Sequence, residues 1–160
     1  MGKYLYWLLA ICWIGVIFYV SGQPYEKQDI KPYLSGKLDL SFMEPLLGWT
    51  SFSYNHAEVS VVSLGINGFI EFFIRKGTHV AVFFLLLCFF YMALKKACTI
   101  SLIPAISISF FLTVAYATLD EFHQGFTSNR TAYIGDVFID SFGALLAVFL
   151  LLMIHKVKIK

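Results

Sequence analysis

The amino-acid sequence predicts an all-α membrane protein with four transmembrane helices and an extracytoplasmic amphipathic helix ahead of the second span. Three observations carry this prediction. Hydrophobic residues make up 59% of the chain and mean hydropathy is +0.75, both above the range of soluble domains. Four apolar stretches approach or reach the roughly 17–25 residues that a helix needs to cross hydrocarbon. The charged residues collect between those stretches instead of spreading along the chain. At 160 residues one domain is expected, covering 1–160.

The first span, about 4–20, carries no charge. Its apolar run is longer than a signal-peptide core of about 7–15 residues, and no Ala-x-Ala site follows, so an uncleaved anchor is expected. A loop, 21–76, comes next and begins with turn formers Ser21, Gly22, Pro24, Pro32 and Gly36. The pattern does not determine the path of 24–57. Further on, Val59, Val62, Ile66, Phe69, Ile70 and Phe73 recur at helical spacing, with Asn67, Glu71 and Arg75 on the opposite face. Glu71 four residues before Arg75 is the favourable order for a helical pair. The stretch reads as an amphipathic helix at the membrane interface, with Gly65 and Gly68 interrupting its regularity.

The second span, about 77–94, has His79 near its start. The third, about 97–119, places Pro104 a turn or two inside, where neighbouring helices can satisfy the freed carbonyl. The fourth, about 137–154, contains Asp140 as its one charge, and Gly143 with Ala147 forms a small-xxx-small face suited to close packing. Cys12, Cys88 and Cys98 have no metal or disulfide spacing. The net charge of +2 and the lack of a long basic run argue against nucleic acid as a partner.

Orientation follows from charge density. The short flanks at 1–3, 95–96 and 155–160 contain basic residues and no acid. Short basic flanks stay in the cytoplasm, so both termini are expected there. The segments 21–76 and 120–136 then share the extracytoplasmic side. Ser21, Gln23, Arg75, Lys76, His79, Asp120, Glu121, His123, Gln124, Arg130, Asp136 and Asp140 would gather at one end of the protein. Asn129-Arg130-Thr131 fits a glycosylation sequon, which matters only in a eukaryotic secretory pathway.

A charge near hydrocarbon is costly unless paired or hydrated, so such a cluster points to use. Asp120 and Gln124 stand at i, i+4 and Glu121 and Gln124 at i, i+3, within one turn if the third helix runs past Leu119. Asp136 and Asp140 share a face of the fourth. A partly desolvated Glu121 or Asp120 is a candidate general base, and His79 a second proton carrier. Arg75, Lys76 and Arg130 suit a phosphate or carboxylate group. His123, beside a loop, is expected to be exposed. A carboxylate-rich site would favour Mg²⁺, Mn²⁺ or Ca²⁺ over zinc, but nothing in the sequence requires a cofactor. The plain structural alternative is that the acids pair with Arg75, Lys76 and Arg130 and staple helix ends together.

The order Arg75-Lys76-x-x-His79, then Asp120-Glu121-x-x-Gln124-x-Phe126-x-x-x-Arg130, then Asp136-x-x-x-Asp140-x-x-Gly143 resembles the VanZ-like family. The resemblance takes in Ser21, Gln23 and about 66–147, and the combined motif is far more specific than any piece of it. In that family Asn often stands where this chain has Asp140, and Gly where it has Ala147. The resemblance implies a small multi-pass protein of the bacterial plasma membrane, associated with lowered sensitivity to teicoplanin and similar glycopeptides. It implies a shared site but supplies no reaction.

Three function classes remain open. An embedded acid/base hydrolase or transferase would act on an amphiphilic or lipid-linked envelope substrate. Its catalytic candidates are Glu121, Asp120 and His79. Its substrate-binding candidates are Arg75, Lys76, Gln124, Arg130, Asp136, Asp140, Ser21 and Gln23. A non-catalytic binder would capture a lipid-tailed antibiotic or a cell-wall precursor through apolar helix faces. A structural or proton-relaying protein would use the acids only to join helices.

Overall fold

A computed structural model describes residues 2–128 and 130–159. Asn129 of the sequon lies outside them. The elements, in order, are α1 (Gly2–Ser21), α2 (Tyr25–Gln28), α3 (Lys31–Lys37), a 3₁₀ turn (Ser41–Met43), α4 (Glu44–Leu47), β1 (Ser51–Tyr54), β2 (Ala57–Ser60), α5 (Val61–Ala97), α6 (Leu102–Gln124) and α7 (Ile134–Ile159). Four helices are long and apolar enough to cross a membrane, over Tyr4–Ser21, Val61–Ala97, Leu102–Gln124 and Ile134–Val157. The chain is thus an all-α membrane-type protein with four spans. It divides into two compact units, Met1–Gln23 with His79–Lys160, and Pro24–Thr78.

The first unit packs α1, α6, α7 and the C-terminal part of α5. Ala10, Ile17, Phe83, Leu86, Phe90, Ala117 and Val137 form its main core, and Leu87, Ala144 and Ala147 a smaller one. Water is absent from hydrocarbon, so side-chain donors there must find protein acceptors. The Trp13 indole donates to the Val82 carbonyl at 3.0 Å and the Tyr116 hydroxyl to the Ile14 carbonyl at 2.9 Å. Buried Ser109 and Thr113 bond back to the carbonyls of Ala105 and Ser109, one turn earlier. Helices α5 and α7 approach backbone to backbone at Gly143, where an added Cβ would overlap the Val80 carbonyl. The small-residue face on α7 therefore does the job its spacing suggests.

Two boundaries differ from the sequence expectation. The third span starts at Leu102 instead of 97 and runs on to Gln124. Pro104 is then in the first turn of α6, where a missing N–H costs nothing because that group has no intrahelical partner anyway. The helix expected ahead of the second span is not a separate element. It is continuous with that span in α5, apart from a break at Gly65 (φ 68°, ψ 165°), a conformation open essentially to glycine alone. From Ile66 to Ala97 the helix is about 48 Å long at about 1.5 Å per residue, longer than the ~30 Å hydrocarbon core.

The second unit holds the antiparallel pair β1–β2, with Tyr54 opposite Ala57 and Ser51 opposite Ser60. Asn55 and His56 close it with φ of 48° and 62°, the two left-handed residues of a type I′ turn. Val59, assigned to a helix from its spacing, is buried in β2. Ile66 and Phe69 are buried as the spacing predicts, but two neighbouring positions depart from it. Glu71 is buried and Phe73 is about half exposed. Glu71 turns inward because its partners are there. Tyr25 Oη donates to Oε2 at 3.1 Å, and Oε1 lies 3.4 Å from the Ile30 N–H and 4.0 Å from Arg75 Nη1. Phe73 joins an edge-to-face cluster with Phe52, Phe69 and Phe72.

Candidate functional site

One end of the first unit collects polar groups from all its helices. Ser21, the last residue of α1, donates from Oγ to Asp120 Oδ1 at 2.6 Å. Gln124 Nε2, one turn after Asp120 on α6, donates to the other carboxylate oxygen at 2.9 Å. Arg130 Nη1 donates both to Gln124 Oε1 at 2.8 Å and to the Ser21 carbonyl at 2.9 Å. Asp120, Ser21 and Gln124 are all buried. This closed network ties the ends of α1 and α6 to the connection before α7. Both oxygens of Asp120 are engaged within it.

Glu121, the next residue on α6, is in a different state. Its Oε1 accepts the backbone N–H of Tyr133 at 2.7 Å. Its Oε2 is buried with no hydrogen-bond partner among the described residues. Asp136, Asp140 and His79 all act electrostatically on Glu121, and Asp120 and Asp136 act on Asp140. The five titratable groups thus share one field.

The third component joins α5 to α7. His79 Nδ1 lies 3.0 Å from Asp140 Oδ1. Asp140 is fully buried, whereas the His79 side chain is 24% exposed. Asp140 Oδ2 is also buried without a partner. A carboxylate behind Nδ1 makes that nitrogen the donor and leaves Nε2 as the acceptor. Among the described residues no three His, Cys, Asp or Glu side chains are grouped to hold a metal ion.

The remaining sequence candidates take other places. Gln23 turns back to the Tyr19 carbonyl at 3.3 Å. Arg75 and Lys76 fall in the second unit. Arg75 lies over the Tyr25 ring at 4.6 Å, and Lys76 over Tyr54 at 4.5 Å and Phe72 at 5.6 Å. Burial and then the Glu71 carboxylate push the Tyr25 phenol up from its ordinary value. His123 is not the exposed side chain its loop position suggests. Its ring stacks on Phe18 at 4.1 Å and it is partly buried.

Two features escaped sequence reasoning. The Tyr133 N–H is a backbone donor and leaves no mark in residue type. The His79–Asp140 pair bridges 61 residues of chain, and each member had been assigned a different role. The one available signal was that both are lone ionisable groups near the ends of apolar helices, where a partner is required.

The sequence matches the family model described as VanZ/LLP1 over residues 6–155, nearly its full length. No curated protein and no solved structure matches it.

Proposed function

The chain belongs to the VanZ/LLP1 family, and from that premise we propose that it is an envelope enzyme that lowers sensitivity to teicoplanin-type glycopeptides. In this reading the polar end of the first unit faces the extracytoplasmic side of a bacterial plasma membrane. The single observation that carries the reading is the His79–Asp140 pair, 3.0 Å apart with the acid fully buried and the imidazole partly exposed. A structural ion pair needs no access, whereas a proton-transferring His does.

The chemistry follows from the geometry. Asp140, accepting from His79 Nδ1–H, keeps the ring oriented and leaves Nε2 to accept a proton from a hydroxyl or water. This is the orienting role that a carboxylate plays behind a catalytic His. The unpaired Oε2 of Glu121 supplies a second acceptor for a substrate hydroxyl or amine, or returns that proton to a leaving group. Asp120, with both oxygens used, is a positioning residue in this scheme. Ser21, Gln124 and Arg130 hold the helix ends in place. The substrate class is a lipid-linked or amphiphilic envelope molecule, a reading supported by Phe122 and Phe126, which follow Glu121 in the chain, stack edge-to-face at 5.0 Å and are exposed.

Those two rings also support a second reading, a non-catalytic binder of a lipid-tailed antibiotic or cell-wall precursor. Teicoplanin susceptibility of a sensitive host expressing wild type, His79→Gln, Glu121→Gln or Phe122→Ala, with membrane abundance measured in parallel, separates the two. The enzyme reading expects His79→Gln and Glu121→Gln to lose protection at unchanged abundance. Full protection by both, with loss in Phe122→Ala, would favour the binder. Loss of abundance in step with protection in the two polar variants would leave a structural role.

A further inference from the structure

The second unit exposes large apolar side chains that no span accounts for. Trp49 is 83% exposed, Phe42 68% and Leu46 65%, and Tyr33 and Leu38 are more than half exposed. All lie in α3, the 3₁₀ turn, α4 and the residues that join or follow them, outside the four membrane-crossing helices. Such a run on a soluble surface marks an interaction site. We propose that residues 33–49 lie in the membrane interface, with Tyr33, Phe42, Leu46 and Trp49 sunk into the headgroup and acyl boundary of the leaflet where α1 ends and α5 begins.

The occupant is lipid for three reasons. Chain connectivity holds the segment near the bilayer, since it begins twelve residues after the span ending at Ser21 and ends twelve residues before the helix beginning at Val61. The residue types are those of an interface, where Trp and Tyr place a ring in the apolar layer and a polar edge toward water. The Trp49 indole N–H is already satisfied by the Leu46 carbonyl at 2.6 Å, and Lys37 stands over the Tyr33 ring at 4.6 Å, a cation able to reach the headgroups. The acids set the depth. Asp39 accepts from the Ser41 backbone N–H and hydroxyl, and Glu44 opens α4. Both need hydration, so the segment lies along the boundary and does not dip through the hydrocarbon.

The test uses full-length protein in phosphatidylcholine nanodiscs, comparing wild type with Trp49→Phe so that the difference spectrum isolates Trp49 from Trp7 and Trp13. The proposal expects blue-shifted Trp49 emission, strong quenching by lipids brominated near the ester end of the acyl chain, weaker quenching by bromine at mid-chain, and little quenching by aqueous iodide. Phe42→Asp with Leu46→Asp, both at exposed positions, should move Trp49 toward iodide. Water-like emission quenched by iodide and untouched by brominated lipid overturns the proposal. Emission protected from both quenchers, changing with the number of protein copies per disc, would also overturn it and assign the surface to a second copy.

Discussion

At the scale of single residues, two neighbouring acids on α6 differ in what surrounds them. Asp120 has both oxygens bonded, to Ser21 and Gln124. Asp120→Asn turns one acceptor into a donor facing another donor, and a buried unsatisfied group costs about 1–3 kcal/mol. Membrane abundance and thermal stability in detergent should fall together. Glu121→Gln keeps the shape and can still accept the Tyr133 N–H, so abundance should hold while protection against teicoplanin is lost. Asp140 separates orientation from charge. Asp140→Asn can still accept from His79 Nδ1, whereas Asp140→Ala cannot hold the ring. If His79 transfers protons, Asp140→Ala should cost about 10²-fold or more in activity and Asp140→Asn clearly less, read in the same susceptibility assay. An equal loss in both would mean that the negative charge, and not ring orientation, is what His79 needs. The residue types of this site were legible in the sequence, because ionisable groups beside apolar spans stand out. Their division of labour was not, since it depends on which oxygen meets which donor.

At the scale of elements, two glycines hold geometry that no other residue supplies. Gly143 lets α7 approach α5 so closely that a Cβ would overlap the Val80 carbonyl. Val80 follows His79 and Asp140 lies one turn before Gly143, so this contact also sets the His79–Asp140 distance. Gly143→Ala should destabilise by about 1–3 kcal/mol, the usual cost of overpacking, and lower activity as well. Thermal melting in detergent checks the first effect and the susceptibility assay the second. Gly65 carries the break in α5, and Gly65→Ala should cost about 1–3 kcal/mol through backbone strain alone, with activity following abundance. The four spans were legible from hydropathy because membrane insertion leaves few alternatives to a helix. The hairpin was not. Its strands are four residues each, too short for alternation to stand out, and Asn55-His56 lacks the glycine that usually marks such a turn.

At the scale of the whole molecule, charge density predicts both termini and the α5–α6 turn in the cytoplasm, with 21–76 and the α6–α7 connection outside. A membrane-impermeant maleimide should label Ser53→Cys in intact cells and label Cys98 only after permeabilisation. The reverse pattern would put the polar site on the cytoplasmic side and remove teicoplanin-bound envelope material as its context. The sequence by itself determined the membrane class, the four spans, the family and the polar residue set, because the bilayer imposes composition and length on any segment that crosses it. Tertiary structure decided the rest. It closed Asp120 into a network with Ser21, Gln124 and Arg130, left Glu121 Oε2 buried and unpaired, set Asp140 behind His79, and turned Glu71 inward with Phe73 out. Each of these is a matter of partner and direction across tens of residues, which one-dimensional spacing does not encode and packed helices do.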